Sequence, residues 1–190
     1  GDEAYIFSAD GSSNLTGYAH GYAYSAAADS VSFGRHTNSV GVVHFVAQTA
    51  NSLPGQNAGP RVGPMIISEF MYRPTDLPNG QDNENDEYIE LQNISGAPLQ
   101  LFDPAFPANT WQLRGGVEFN FPPDITVPAG GFLLVANFDV TDSVRLNAFR
   151  QKYNVPAEVP VFGPYEGRLA NDGDEIELKR PDNVPAFPDP

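Results

Sequence analysis

The chain has 190 residues, a formal net charge of −14 at pH 7 and no cysteine. Because 24 acidic side chains face only 10 basic ones, the average surface repels phosphate, which argues against nucleic-acid binding. Without cysteine, disulfide bonds, zinc–thiolate sites and thiol nucleophiles are excluded, and no apolar run is long enough to span a membrane. The 18 Gly and 18 Pro residues separate short runs of Val, Ile, Phe and Tyr, a pattern typical of an all-β sandwich or barrel.

Four strands are predicted in the first part of the chain, at 4–8, 18–24, 31–35 and 42–47. In the second of them, Tyr18, His20, Tyr22 and Tyr24 recur at every second residue and therefore share one face. Such a row favours a covering role over a sheet face or edge. The alternative is a ligand-binding row for a carbohydrate or a peptide.

The second part follows a linker at 58–64 within a stretch rich in Pro and Gly. Strands are predicted at 65–72, 87–93, 99–101, 111–113, 117–121, 132–136, 161–162 and 175–179. The strand at 117–121 alternates apolar and polar residues and should be half-buried. The unbroken apolar run FLLVA at 132–136 predicts a central strand that is covered on both faces. The final PDNVPAFPDP is predicted to be turn and tail.

One short helix is predicted at about 142–153, with Thr141 as its N-cap. Its apolar residues recur at helical spacing and are Leu146, Phe149 and Tyr153. Its basic residues come nearest to a basic patch and are Arg145, Arg150 and Lys152. They are interpreted as a solvated helix face, so the chain is predicted not to bind nucleic acid.

The loop between the strands at 65–72 and 87–93 is dense in Asp, Asn and Glu. Its carboxylates are Asp82, Glu84, Asp86 and Glu87. Because Ca²⁺ takes about six to eight oxygen ligands from carboxylates, amides and carbonyls, the loop is a candidate calcium site, with Asp172 and Asp174 as a weaker second one. The loop lacks the full calcium-loop consensus. The alternative is a solvated loop tip whose charge discourages edge pairing.

No enzymatic motif stands out. The histidines, His20, His36 and His44, all lie in the first part, and no nucleophile elbow, P-loop, dinucleotide fingerprint or helical zinc pair is present. Carboxylate spacing alone leaves a glycosidase-like acid pair open. However, Glu69 and Glu90 fall on strands whose alternation explains them as surface positions. We therefore predict a protein without catalytic activity and without a cofactor other than calcium.

Four segments of the second part occur in a characteristic order, namely ISEFMY before the acidic loop, DEYIELQN after it, FNFPPDITVPAGGFLLVA and LANDGDEIEL. Together they resemble the lamin-tail domain, an immunoglobulin-like β-sandwich found in nuclear lamins and in secreted bacterial multidomain proteins. The resemblance covers 65 to about 179. It implies an immunoglobulin-like sandwich at 65–190, and the helix before the last segment is similar to bacterial versions.

The beginning of the chain echoes its end. The tripeptide GDE at 1–3 recurs at 173–175, and a strand-like segment follows each copy, namely AYIFSADG after the first and IELKRPDN after the second. Residues 1–57 thus resemble the closing part of such a domain placed before the opening part of another, as in a tandem array. Because about fifty residues would hardly bury a core alone, we expect them to complete the sandwich, within the chain or on a neighbour. A separate small β-lobe is the alternative.

The sequence therefore predicts a non-catalytic structural or interaction module of a larger extracellular or cell-surface protein. Its role would be spacing, adhesion or assembly with protein partners or neighbouring copies. One alternative is a carbohydrate- or peptide-binding module that uses the Tyr and His row with calcium. The other is an accessory domain of a secreted hydrolase. Since the chain begins at Gly1 without Met, we interpret it as a fragment whose targeting signal lies outside it.

Overall fold

The computed structural model describes residues 2–24 and 29–181. It is an all-β structure in which strand is far more abundant than helix. The chain divides into two compact units, Gly1–Val62 and Gly63–Pro190, and each is described by itself. Most of the C-terminal stretch predicted to be turn and tail lies outside the described residues, which end at Pro181.

The first unit consists of two antiparallel hairpins. Strands β1 (Asp2–Ala9) and β2 (Leu15–Tyr24) form one hairpin, and strands β3 (Phe33–Thr37) and β4 (Val43–Ala47) form the other. In each turn one side chain, Asp10 or Asn38, accepts hydrogen bonds from backbone N–H groups. All four strands predicted for this part are present, although β3 begins two residues later than its predicted start.

The first unit has little internal burial. Among its described residues, only Gly34 and Gln48 are buried. The Gln48 amide donates to the carbonyl oxygens of Gly34 (3.1 Å) and Val46 (2.9 Å), which ties the second hairpin together. Tyr22 stacks on Phe45 with ring centroids 4.6 Å apart. In the part that the structure describes, the unit is therefore held together by the Gln48 hydrogen bonds and by aromatic contacts, without a closed hydrophobic core.

The second unit contains twelve strands and one α-helix among its described residues. The elements, in chain order, are β5 (Met65–Met71), a 3₁₀ turn (Glu84–Asp86), β6 (Tyr88–Asn93), β7 (Leu99–Gln100), β8 (Phe102–Asp103), β9 (Phe106–Thr110), β10 (Gln112–Gly115), β11 (Val117–Asn120), β12 (Thr126–Val127), β13 (Phe132–Ala136), α1 (Ser143–Tyr153), β14 (Val161–Phe162), β15 (Glu166–Gly167) and β16 (Ile176–Lys179).

Two four-stranded sheets organise the second unit. Sheet I has the strand order β14–β13–β6–β5, and sheet II has the order β15–β11–β10–β16. The pairs β7–β12 and β8–β9 form two further two-stranded sheets. Leu91 and Leu133 of sheet I lie in the same hydrophobic cluster as Leu113 and Val117 of sheet II. The two sheets therefore share one core.

Strand β13 is covered on both faces. Leu133 and Val135 belong to the core shared by the two sheets, whereas Leu134 and Ala136 pack in a second cluster with Phe149 of α1. Because successive side chains of a strand point to opposite faces, each face of β13 has its own apolar cover. The prediction of a central, doubly covered strand at 132–136 is confirmed.

The N-cap of α1 differs from the prediction. Asp142, not Thr141, caps the helix: its Oδ1 accepts hydrogen bonds from the backbone N–H of Val144 (3.0 Å) and Arg145 (3.1 Å). The Thr141 hydroxyl instead donates to Asp139 at 2.7 Å. The prediction of Thr141 as N-cap is wrong because the carboxylate one residue later satisfies two free N–H groups at the positive end of the helix.

Replacing Asp142 with alanine should lower the free energy of unfolding by about 1 kcal/mol, because two backbone N–H groups lose their acceptor. Urea denaturation followed by circular dichroism measures the change. The matched control is Thr141→Ala, which leaves the cap in place and should cost less. An equal loss in the two variants would contradict this assignment of the cap.

Candidate functional site

The acidic loop of the calcium hypothesis contacts α1 through Asp86. The Asp86 carboxylate accepts hydrogen bonds from Lys152 Nζ (2.6 Å), an Arg145 guanidinium nitrogen (3.2 Å) and Asn83 Nδ2 (2.6 Å). The Tyr153 hydroxyl donates to the Asp86 carbonyl at 3.1 Å. Burial alone would raise the pKa of Asp86, but the bonds from Lys152 and Asn83 outweigh it and the pKa is lowered. Asp86 therefore fastens α1 to the loop.

Glu87 is fully buried and binds a different segment. Its Oε2 accepts hydrogen bonds from the Tyr165 hydroxyl (2.6 Å) and the Leu169 backbone N–H (3.2 Å). Its Oε1 has no hydrogen-bond partner among the described residues. Burial raises the pKa of Glu87, and burial together with the bond to Glu87 raises the pKa of Tyr165. Glu87 thus holds the 165–169 segment against the start of β6.

The remaining loop carboxylates, Asp82 and Glu84, contact two other residues. Asp82 accepts a hydrogen bond from Asn171 Nδ2 at 2.6 Å, and Glu84 lies 3.7 Å from an Arg168 guanidinium nitrogen. Within residues 2–24 and 29–181, no group of three or more acidic or histidine side chains is placed to hold a metal ion. In this structure each of the four loop carboxylates contacts a protein group instead, and these carboxylates are Asp82, Glu84, Asp86 and Glu87.

The Tyr and His row on β2 divides into two halves. Tyr22 stacks on Phe45, and Tyr24 contacts the ring of Phe33 with centroids 6.0 Å apart, so these two tyrosines cover the second hairpin. Tyr18 is 60% exposed, and His20 is exposed with its ring edge-on to Tyr22 at 5.2 Å. Half of the row thus has the covering role that the pattern favours.

The histidines form no catalytic arrangement in the part of the chain that the structure describes. His36 and His44 face each other across the β3–β4 pair, and His44 Nε2 lies 3.2 Å from Asn38 Nδ2. No hydrogen bond joins a histidine to a carboxylate or a hydroxyl within these ranges, so a nucleophile–base pair is not assembled there.

A cavity that the sequence did not indicate lies between sheet I and the C-terminal end of α1, with a volume of about 320 Å³. Its walls are mainly aromatic and aliphatic and include Tyr88, Phe132, Phe149 and Tyr153. Tyr88 and Phe149 are buried. The polar lining of the cavity consists of the carboxylates Glu69 and Glu90 together with Asn154. We call this space the α1 cavity.

The two glutamates of the α1 cavity are directly opposite each other on β5 and β6. Glu69 accepts a hydrogen bond from the Tyr88 hydroxyl (2.5 Å), and Glu90 accepts one from the Ser68 hydroxyl (2.7 Å). No Lys or Arg nitrogen of the described chain forms an ion pair with either glutamate. Their pairing depends on the register of β5 against β6. This register cannot be predicted from the sequence, because a long acidic loop connects the two strands.

Comparison with protein-family models, with curated proteins and with solved structures finds no match for this chain. No helix in the described ranges has the length and apolar character that a membrane crossing requires.

Proposed function

We propose that this chain is a non-catalytic interaction module with an immunoglobulin-like β-sandwich of lamin-tail type. It would belong to a larger extracellular or cell-surface protein and serve spacing, adhesion or assembly by binding neighbouring copies. One observation carries the proposal: the ribbon formed by β1 and β2 exposes large apolar side chains on both faces. We call it the β1–β2 ribbon.

The apolar surface of the β1–β2 ribbon is extensive. Its side chains that are more than half exposed are Tyr5, Ile6, Phe7, Leu15 and Tyr18. Tyr5 and Phe7 lie on one face with their rings stacked at 6.2 Å, and Ile6 between them points to the other face. Exposed apolar patches of this kind mark protein interaction sites, and a two-stranded ribbon is only marginally stable by itself.

The edges of the β1–β2 ribbon favour a strand-pairing partner. Each strand pairs only with the other in the described structure, so the outward N–H and C=O groups of both strands have no strand partner for hydrogen bonds. Such edges accept an additional strand from another chain, with backbone hydrogen bonds for affinity and apolar contacts for specificity. The acidic surface, by contrast, disfavours nucleic acid as the partner.

The second unit supports the sandwich part of the proposal. Two four-stranded sheets share one core, which is the layer arrangement of a sandwich. Edge strands β5 and β16 border an apolar groove of about 460 Å³ that Ile67, Phe70 and Ile176 line. A sandwich that is open along one side fits a domain in which further strands are still to be added. We predict that residues 1–57 supply these further strands, either within the same chain or to a neighbouring chain.

Sedimentation velocity over a range of concentrations tests the proposal. The chain should self-associate, and Tyr5→Ser with Phe7→Ser should weaken association by about tenfold or more, because apolar anchors dominate such contacts. Val40→Ser is the control, since Val40 belongs to the same unit, is even more exposed at 80% than Tyr5 or Phe7, and lies outside the ribbon. A chain that stays monomeric at every concentration, or a ribbon variant that associates like the control, would refute the proposal.

A further inference from the structure

We propose that the α1 cavity binds a primary alkylammonium group. Glu69 and Glu90 would receive the ammonium head, and the aromatic walls would hold the apolar chain attached to it. None of the residues that line the cavity belongs to the β1–β2 ribbon, and the inference does not depend on the association proposed above.

The two carboxylates that line the cavity favour a cationic ligand. Like charges directly opposite each other on paired strands are destabilising, and Glu69 and Glu90 occupy such positions. Their hydrogen-bond donors are the neutral hydroxyls of Tyr88 and Ser68. An ammonium group carries three N–H donors and no acceptor. An ammonium group in the cavity would donate to these carboxylates and replace their repulsion with attraction.

The walls of the cavity suit an alkyl chain that ends in a cation. Tyr153 meets Tyr88 edge-on with centroids 4.9 Å apart and contacts Phe149 at 5.0 Å. Aromatic rings attract a cation through their faces, and their apolar surface covers methylene groups. The volume of about 320 Å³ lies at the lower end of the range for small-molecule sites, which fits a short chain.

A second pair of opposed glutamates lies outside the α1 cavity and can be compared with Glu69 and Glu90. Glu118 on β11 and Glu166 on β15 are also directly opposite each other in sheet II. Both are exposed, and neither lines the α1 cavity. Glu69 is exposed as well and Glu90 is half-buried, so the two pairs differ chiefly in the aromatic walls beside Glu69 and Glu90. The pair in sheet II serves as a matched control because it has the same charges without the aromatic walls.

Titration of the isotope-labelled chain with butylammonium chloride at constant ionic strength tests the site by NMR. We expect saturable shifts of the Tyr88, Glu90 and Tyr153 amides, and binding about tenfold tighter than that of the neutral isostere 1-butanol. Glu69→Gln with Glu90→Gln should weaken butylammonium binding by about tenfold. Glu118→Gln with Glu166→Gln should leave it unchanged. Glutamine keeps an acceptor for the two hydroxyls, and the variant's spectrum checks its fold.

A lysine derivative distinguishes the sources of the ammonium group. If Nα-acetyl-lysine N-methylamide binds as tightly as butylammonium, the site accepts a lysyl side chain. If butylammonium alone binds, it accepts a free amine, and either result supports an ammonium site. Equal binding of 1-butanol and butylammonium by the native chain would overturn the proposal, whatever the variants do. Non-saturating shifts, or shifts away from the cavity, would also overturn it.

Discussion

Replacing Glu87 with alanine should lower the free energy of unfolding of the second unit by about 2–4 kcal/mol. The substitution leaves the buried Tyr165 hydroxyl and the Leu169 N–H without their acceptor, and it opens a cavity at a fully buried position. Urea denaturation at constant pH measures the loss. The control is Glu84→Ala in the same loop, where the side chain is half exposed and the change should stay within about 0.5 kcal/mol.

The pH dependence of the same site provides its second readout. The pKa of Glu87 is raised in the folded state, so the folded chain binds this proton more tightly than the unfolded chain. Protonation of Glu87 therefore stabilises the folded chain. This contribution to the free energy of unfolding is complete below the ordinary pKa of 4.5 and is lost as the pH rises through the folded-state pKa. Glu87→Gln should keep one acceptor for Tyr165 and remove this contribution. An unchanged pH profile in Glu87→Gln would contradict the assignment.

Replacing Phe149 with alanine should cost about 3–5 kcal/mol, as expected for removing a buried aromatic side chain. Phe149 is 2% exposed and contacts the rings of Tyr88, Phe138 and Tyr153. The loss should release α1 from sheet I. Urea denaturation followed by circular dichroism measures the loss.

Val144→Ala is the matched control for Phe149→Ala. Val144 lies on the same helix but is 79% exposed, so its truncation should change stability by no more than about 0.5 kcal/mol. A similar cost for the two substitutions would mean that α1 is not held through its apolar face.

Local patterns in the sequence were enough to find the elements that carry most of the core. The FLLVA run predicted a strand covered on both faces, and the alternation at 117–121 predicted the half-buried β11, in which Val117 is buried and Glu118 is exposed. Both patterns depend on which way successive side chains point, and this is set by the strand backbone itself. Strand β9 was not predicted because it contains Pro107, and proline is a signal against a strand interior.

The acidic loop shows why the candidate site could not be predicted in the same way. Its alternating carboxylates suggested calcium ligands, yet Asp86 binds Lys152, which is 66 residues away, and Glu87 binds Tyr165, which is 78 residues away. No local pattern encodes partners at such separations. The pairing of Glu69 with Glu90 could not be predicted either, because the register of β5 against β6 includes an irregularity between Ile67 and Glu69.

The association of the chain through the β1–β2 ribbon is tested most directly by amide hydrogen exchange at several protein concentrations. The outward-facing amides of Asp2–Ala9 and Leu15–Tyr24 have no hydrogen-bonded strand partner in the described structure and should exchange fast in dilute solution. We expect their protection to rise with concentration, while amides of the core strand Phe132–Ala136 stay equally protected throughout. Fast exchange of the ribbon's outward amides at every concentration would contradict the account.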